Sequence, residues 1–143
     1  MRFLLPGLLT LPLLVPPVQA GPVPRTDAPA EIAERLAAEA KAQGLVLDGA
    51  IGWEMDFEGD GTTEWLVQGI YPFPGGNAVQ VSTFLFDGAD AGYADREELD
   101  LPRSLKAVDQ DGTTIKLVLY EMREGDARCC PSGESYRMLF IQP

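Results

Sequence analysis

Residues 51–57 read IGWEMDF, and this stretch decides the fold class. Large apolar side chains occupy every second position from Ile51 to Phe57, and glycine or an acid stands between them. Alternation with a period of two is typical of a β-strand that buries one face and exposes the other. The stretch is therefore predicted to be a half-buried strand of a sheet.

Further apolar stretches downstream have the same character, and turn residues such as glycine, proline and aspartate separate them. The additional predicted strands are 65–71, 79–86, a hairpin of 105–108 and 115–122, and 135–141. Strands joined by short turns favour antiparallel pairing, because parallel neighbours need long crossover connections.

One helix is predicted ahead of these strands, at residues 28–43. Ile32, Leu36 and Ala40 recur at intervals of four, and Gly44 lies just past the end. The apolar stripe is narrow, which fits a helix lying on a sheet. The predicted fold class is therefore α+β, with a single antiparallel β-sheet of about five to six strands and one N-terminal helix packed on it.

The start of the chain has the pattern of a secretory signal peptide. Arg2 is basic, residues 3–15 are mainly apolar, and Val18 and Ala20 are the small residues of a cleavage site. Position 21 is glycine, not the cysteine that a lipoprotein carries, so we expect a soluble secreted or periplasmic protein. The predicted organisation is a signal peptide at 1–20, a flexible leader at 21–27, and a single α+β domain at 28–143.

The charge balance is strongly acidic. The chain of 143 residues has 11 basic and 22 acidic residues, and the predicted signal peptide contains one base and no acid. Residues 21–143 therefore carry ten bases and 22 acids, a net charge of −12. Such a surface repels phosphate backbones, so nucleic acid is excluded as a partner. No other apolar run is long enough to predict a membrane span. The expected partner is a protein or another component of the cell envelope.

The chain contains no histidine, which removes several kinds of catalytic site. Ser-His-Asp and Cys-His nucleophile systems and histidine-containing zinc sites are all excluded. Carboxylates remain for acid–base chemistry, but the sequence shows no pairing of two such groups. We therefore expect a non-catalytic protein that requires no cofactor.

One acidic segment has the spacing of a calcium loop. Asp56, Glu58, Asp60 and Glu64 occupy relative positions one, three, five and nine, and Gly61 stands at position six, where the chain must turn sharply. Oxygen ligands from one short segment are what calcium prefers. The four acidic residues are the candidate metal ligands, although position twelve carries no acid.

The same segment is also explained without a metal. The tetrapeptide DGTT occurs at 60–63 and again at 111–114, where most of the surrounding acids are missing. Turn formation alone accounts for the repeated part. A plain acidic hairpin and a calcium-stabilised secreted domain therefore both remain open.

The only two cysteines, Cys129 and Cys130, are neighbours and precede Pro131. In an oxidising compartment they form a vicinal disulfide with each other or remain two thiols. The spacing differs from the Cys-x-x-Cys of thioredoxin-like enzymes. A structural or incidental role and a thiol-redox role are the two interpretations.

Two motifs together resemble a group of small exported bacterial proteins and lipoproteins. Residues 56–64 fit the pattern D-x-x-G-D-G-x-x-E, and residues 126–133 fit D-x-x-C-C-P-S-G. The named proteins that the chain resembles are the LppP/LprE-type lipoproteins. The resemblance implies a cell-envelope or secreted domain. This chain lacks the anchoring cysteine of the lipoproteins, so membrane tethering is not expected.

Overall fold

A computed structural model describes residues 20–76, 78–94 and 96–140. The predicted signal peptide lies outside these residues, apart from Ala20. Within the described ranges, no helix combines the length and the apolar character needed to cross a membrane.

The described chain forms nine strands and one α-helix, α1, at Ala30–Ala42. A short 3₁₀ turn lies at Ala89–Ala91. The strands are β1 Gly21–Pro22, β2 Thr26–Asp27, β3 Gly49–Met55, β4 Glu64–Pro72, β5 Val79–Phe86, β6 Arg96–Leu99, β7 Leu105–Asp111, β8 Thr114–Glu121 and β9 Gly133–Phe140.

The strands form two sheets, so the prediction of an α+β fold with a single sheet of five to six strands is wrong. The five-stranded sheet has the order β2-β3-β4-β5-β6, and the four-stranded sheet has the order β1-β7-β8-β9. All pairs are antiparallel, as predicted. The error has a physical cause: alternation shows which residues share a face, but it does not show which strands pair.

Residues 21–27, for which we expected a flexible leader, place one short strand in each sheet. Gly21 pairs with Gln110 of β7, and Thr26 pairs with Gly52 of β3. The chain therefore passes from one sheet to the other before α1 begins.

The molecule has three layers: α1, the five-stranded sheet and the four-stranded sheet. Consecutive residues of β4 show this arrangement, because Leu66 faces the four-stranded sheet and Val67 faces α1. The apolar cluster between the sheets comprises Trp53, Met55, Phe57, Leu66, Leu105, Val108, Ile115, Leu117 and Leu119. The cluster under the helix comprises Ile32, Leu36, Val67, Phe84 and Phe86.

One buried polar side chain links the sheets. The Gln68 side chain donates a hydrogen bond from Nε2 to Thr83 Oγ1 (2.9 Å), and its Oε1 accepts one from the Leu105 backbone N–H (3.2 Å). Gln68 is 2% exposed, and both ends of its amide have partners. It ties β4 and β5 to the start of β7.

Candidate functional site

The acidic turn between β3 and β4 is held together by its own carboxylates. Asp56 Oδ1 accepts hydrogen bonds from the backbone N–H groups of Gly59 (2.6 Å) and Asp60 (3.1 Å), and Asp56 Oδ2 accepts one from Gly61 (2.9 Å). A single side chain therefore orders the amides of three consecutive residues. This bonding explains the turn without any ion.

The other acids of the turn are also engaged. Asp60 Oδ1 accepts from the Thr62 hydroxyl (2.6 Å) and backbone N–H (2.8 Å), and these bonds lower the pKa of Asp60. Glu64 Oε2 accepts from the Phe57 N–H (2.7 Å), and Glu64 Oε1, 2.9 Å from the Thr62 hydroxyl oxygen, shares the one hydroxyl hydrogen with Asp60. Burial nevertheless raises the pKa of Glu64.

The turn gathers Asp56, Asp60 and Glu64, and Glu58 lies exposed beside them. Within residues 20–76, 78–94 and 96–140, no three or more Asp, Glu, Cys or His side chains have an arrangement that could hold a metal ion. Calcium binding by these four residues therefore remains a prediction.

The two DGTT turns lie side by side at one end of the molecule. Gln110, which is buried, donates from Nε2 to the carbonyl oxygens of Asp56 and Gly112, the second at 2.9 Å. A Cβ atom on Gly59 would lie 3.4 Å from Thr113 Cγ2, so the turns touch. The sequence showed the repeat but not this contact, which depends on stacking the two sheets.

An acidic cleft of about 390 Å³ opens beside the first turn. Its lining residues are Phe57, Glu58, Glu64, Leu85, Phe86, Asp87, Arg96 and Glu97. Acid–base catalysis needs a carboxyl group that reaches a substrate. Both Glu64 oxygens instead accept hydrogen bonds from its own turn, so Glu64 has a structural role here.

The cysteine pair lies in the connection between β8 and β9. The two Sγ atoms are at disulfide distance, so of the two alternatives that the sequence left open the structure has the vicinal disulfide, and both residues are exposed. Asp126 Oδ2 closes the base of this connection by accepting from the backbone N–H groups of Arg123 (2.7 Å) and Ser132 (2.8 Å). These bonds lower the pKa of Asp126, so the closing group stays charged.

A third surface was not recognised from the sequence. Ile115, Leu117 and Leu119 of β8 point into the core between the sheets, so the residues between them face outward. The outer face of β8 and β9, here called the open face, consists of Lys116, Val118, Tyr120, Glu134, Tyr136, Met138 and Phe140. None of these residues belongs to either apolar cluster, although Val118 is itself only 7% exposed.

The open face carries a row of large apolar side chains on β9. Tyr136, Met138 and Phe140 are 58%, 44% and 73% exposed. The ammonium group of Lys116 lies 4.5 Å from the centre of the Tyr136 ring, and the Tyr136 hydroxyl donates to Glu134 (3.0 Å). The alternation of apolar residues at 136, 138 and 140 was the available signal, but it does not distinguish an outer face from a core face.

Charge is distributed unequally between the two halves of the chain. Residues 21–100, which form α1, the five-stranded sheet and the two-residue strand β1, hold four bases and 16 acids, a net charge of −12. Residues 101–143 hold six of each and have a net charge of zero. The open face therefore belongs to the electrically neutral half.

The class defined by this geometry is a mainly β, two-sheet protein with one covering helix and an exposed apolar edge strand. No family model, curated protein or solved structure matches the chain.

Proposed function

We propose that the chain is a non-catalytic exported domain that binds an extended polypeptide segment along β9. The segment adds to the four-stranded sheet as a further strand and lays its apolar side chains on the open face. The signal-like residues 1–20 and the resemblance to exported lipoproteins support a place outside the cytosol.

The observation that carries this proposal is the edge strand itself. β9 is eight residues long and ends the order of its sheet, so among the described residues its outer edge has no strand partner. An edge strand offers backbone donors and acceptors to an incoming chain. Tyr136, Met138 and Phe140 supply apolar contacts beside that edge, and tyrosine is common at recognition surfaces.

Charge indicates the chemistry of the partner. Lys106 pairs with Glu134 (2.5 Å) and Lys116 pairs with Asp109 (3.8 Å), so these four charges are neutralised within the protein. A neutral surface gives no electrostatic attraction to a highly charged ligand. The partner segment is therefore expected to be largely uncharged, with apolar residues at alternate positions.

The test uses isotope-labelled protein and a panel of uncharged decapeptides with alternating apolar residues. Binding should shift the backbone amide resonances of β9. Replacing a central peptide residue with proline should weaken binding at least about tenfold, because strand addition requires the backbone N–H.

Two triple variants separate the open face from other exposed apolar residues. Tyr136→Thr, Met138→Thr and Phe140→Thr together should weaken peptide binding by about tenfold or more. The matched variant, Val46→Thr, Phe73→Ser and Val79→Thr, removes apolar side chains of similar exposure elsewhere and should bind normally. Shifts confined to other strands, or no β9 shift with any peptide at millimolar concentration, would contradict the proposal.

A further inference from the structure

The cysteine pair is placed where a reductant can reach it. Cys129 and Cys130 are the only cysteines of the chain, they are bonded to each other, and both are exposed. Neither residue belongs to an apolar cluster. An attacking thiolate needs access to a sulfur atom, and here access requires no unfolding.

The connection keeps its shape through bonds that do not involve sulfur. Asp126 accepts from Arg123 and Ser132, and the Asp126 N–H donates to the Arg123 carbonyl oxygen (3.1 Å). The Cys130 N–H donates to the Ala127 carbonyl oxygen (2.9 Å). Opening the disulfide therefore leaves the base of the connection closed.

The adjacency of the two cysteines in the chain also argues that their disulfide does not stabilise the fold. A disulfide stabilises a fold mainly by restricting the unfolded chain, and the effect grows with the number of residues enclosed. A link between adjacent residues encloses none, so it restricts the unfolded chain very little. The bond is accordingly free to open and close without a large change in fold stability.

We infer that Cys129 and Cys130 form a reversible two-electron thiol–disulfide site that exchanges with a dithiol partner. A partner thiolate attacks one cysteine sulfur, the S–S bond breaks as a mixed disulfide forms, and the other cysteine leaves as a thiolate. The second partner thiolate then attacks the partner's own sulfur in the mixed disulfide and releases the first cysteine. The protein gains two electrons and two protons, and the partner leaves as a disulfide.

The site is separate from the proposed peptide surface, because the pair precedes β9 and does not lie on the open face. The double variant Cys129→Ser and Cys130→Ser should lose exchange and keep peptide binding. The two proposals can therefore fail independently.

The test is a redox titration of the folded wild-type protein in buffers of a small dithiol and its cyclic disulfide. The ratio of reduced to oxidised protein is read by alkylation and intact mass. It should be proportional to the ratio of dithiol to cyclic disulfide in the buffer, whether the titration starts from reduced or from oxidised protein. The rate constant for reduction should lie within about tenfold of that of the unfolded chain, because an exposed bond needs no opening of the fold.

Two further readouts decide between a reversible site and a structural bond. Reduction should change the Tm by less than about 3 °C. Reduced wild-type protein should bind one equivalent of phenylarsine oxide, which bridges neighbouring thiols, and either single serine variant should not. The inference is overturned if reduction requires unfolding or if the reduced protein does not re-form the Cys129–Cys130 bond. A fall in Tm of more than about 3 °C on reduction would also overturn it.

Discussion

The two sheets differ in how their outer faces and edges are protected. Helix α1 covers the outer face of the five-stranded sheet, and the edge strand β6 is only four residues long, with the sequence REEL. Among the described residues, no helix covers the open face of the four-stranded sheet, and its edge strand β9 is twice as long as β6. Short charged edges discourage strand addition, whereas a long apolar edge permits it. The comparison shows that one sheet has a covered face and a short charged edge, whereas the other leaves a long strand with large apolar side chains exposed.

The largest expected effect is a loss of stability when the packing of α1 on the five-stranded sheet is disrupted. Leu36→Ala removes a side chain that is 1% exposed and leaves a cavity between α1 and the sheet. The free energy of unfolding should fall by about 3 kcal/mol, measured by urea denaturation.

The matched variant on the open face is Met138→Ala. Met138 is 44% exposed, so its truncation should change the free energy of unfolding by less than about 0.5 kcal/mol. Equal losses from the two variants would show that the open face is covered in solution.

The next effect concerns the joint between the sheets. Gln68→Leu leaves the Leu105 N–H and the Thr83 hydroxyl without their buried partner. The expected loss of stability is about 2 kcal/mol in thermal or urea unfolding. Gln80→Leu, at an exposed position of β5, is the control and should be nearly neutral.

A smaller loss of stability is expected when the Glu39 ion pairs are removed, and it depends on pH. Burial acts to raise the pKa of Glu39, but hydrogen bonds and charges from Arg96 and Arg35 outweigh it and leave the pKa below 4.5. A lowered pKa stabilises the fold above the unfolded-state pKa, and this stabilisation is lost as the pH falls through the folded-state value. Glu39→Gln should therefore cost at most about 0.5 kcal/mol at pH 7, and less in acid.

Glu134→Gln is the corresponding change on the open face. Hydrogen bonds from Lys106 and Tyr136 lower the pKa of Glu134. Its side chain is about as exposed as that of Glu39, but it pairs with one cation, whereas Glu39 pairs with two. In urea denaturation at pH 7, Glu134→Gln should lower the free energy of unfolding by less than Glu39→Gln does. The reverse order would mean that the Lys106 pair is shielded from solvent.

The smallest expected effect is the change in Tm when calcium is added, and it tests the acidic turn between β3 and β4. Because the carboxylates of Asp56, Asp60 and Glu64 already accept hydrogen bonds within the turn, millimolar calcium should raise the Tm by no more than about 2 °C relative to chelator. Any rise should disappear in Asp56→Asn and persist in Asp111→Asn, which alters the second DGTT turn. A rise that survives Asp56→Asn would exclude the predicted ligand set.

Local structure followed closely from the sequence. The helix predicted at 28–43 occupies Ala30–Ala42, and the strand predicted at 79–86 has those limits. The stretch at 51–57 is shifted, because β3 covers Gly49–Met55 and Phe57 already lies in the turn. These agreements reflect signals that lie within a few neighbouring residues.

Three short strands were missed because their signals are not local. The acidic stretch 87–100 was not among the predicted strands, yet it contains β6, whose polar residues are tolerated at an exposed edge. β1 and β2 have only two residues each and exist only through their pairing partners. The contact between the DGTT turns likewise arises from strands distant in the chain.

Composition and short-range periodicity are enough to encode the helix, most of the strands, the excess of acid and the adjacency of the two cysteines. The division of the strands into two sheets, the assignment of the acidic part of the chain to one of them, and the exposure of Tyr136, Met138 and Phe140 depend instead on tertiary packing. Alternation specifies that two faces differ, whereas the packing of distant strands decides which of those faces becomes core.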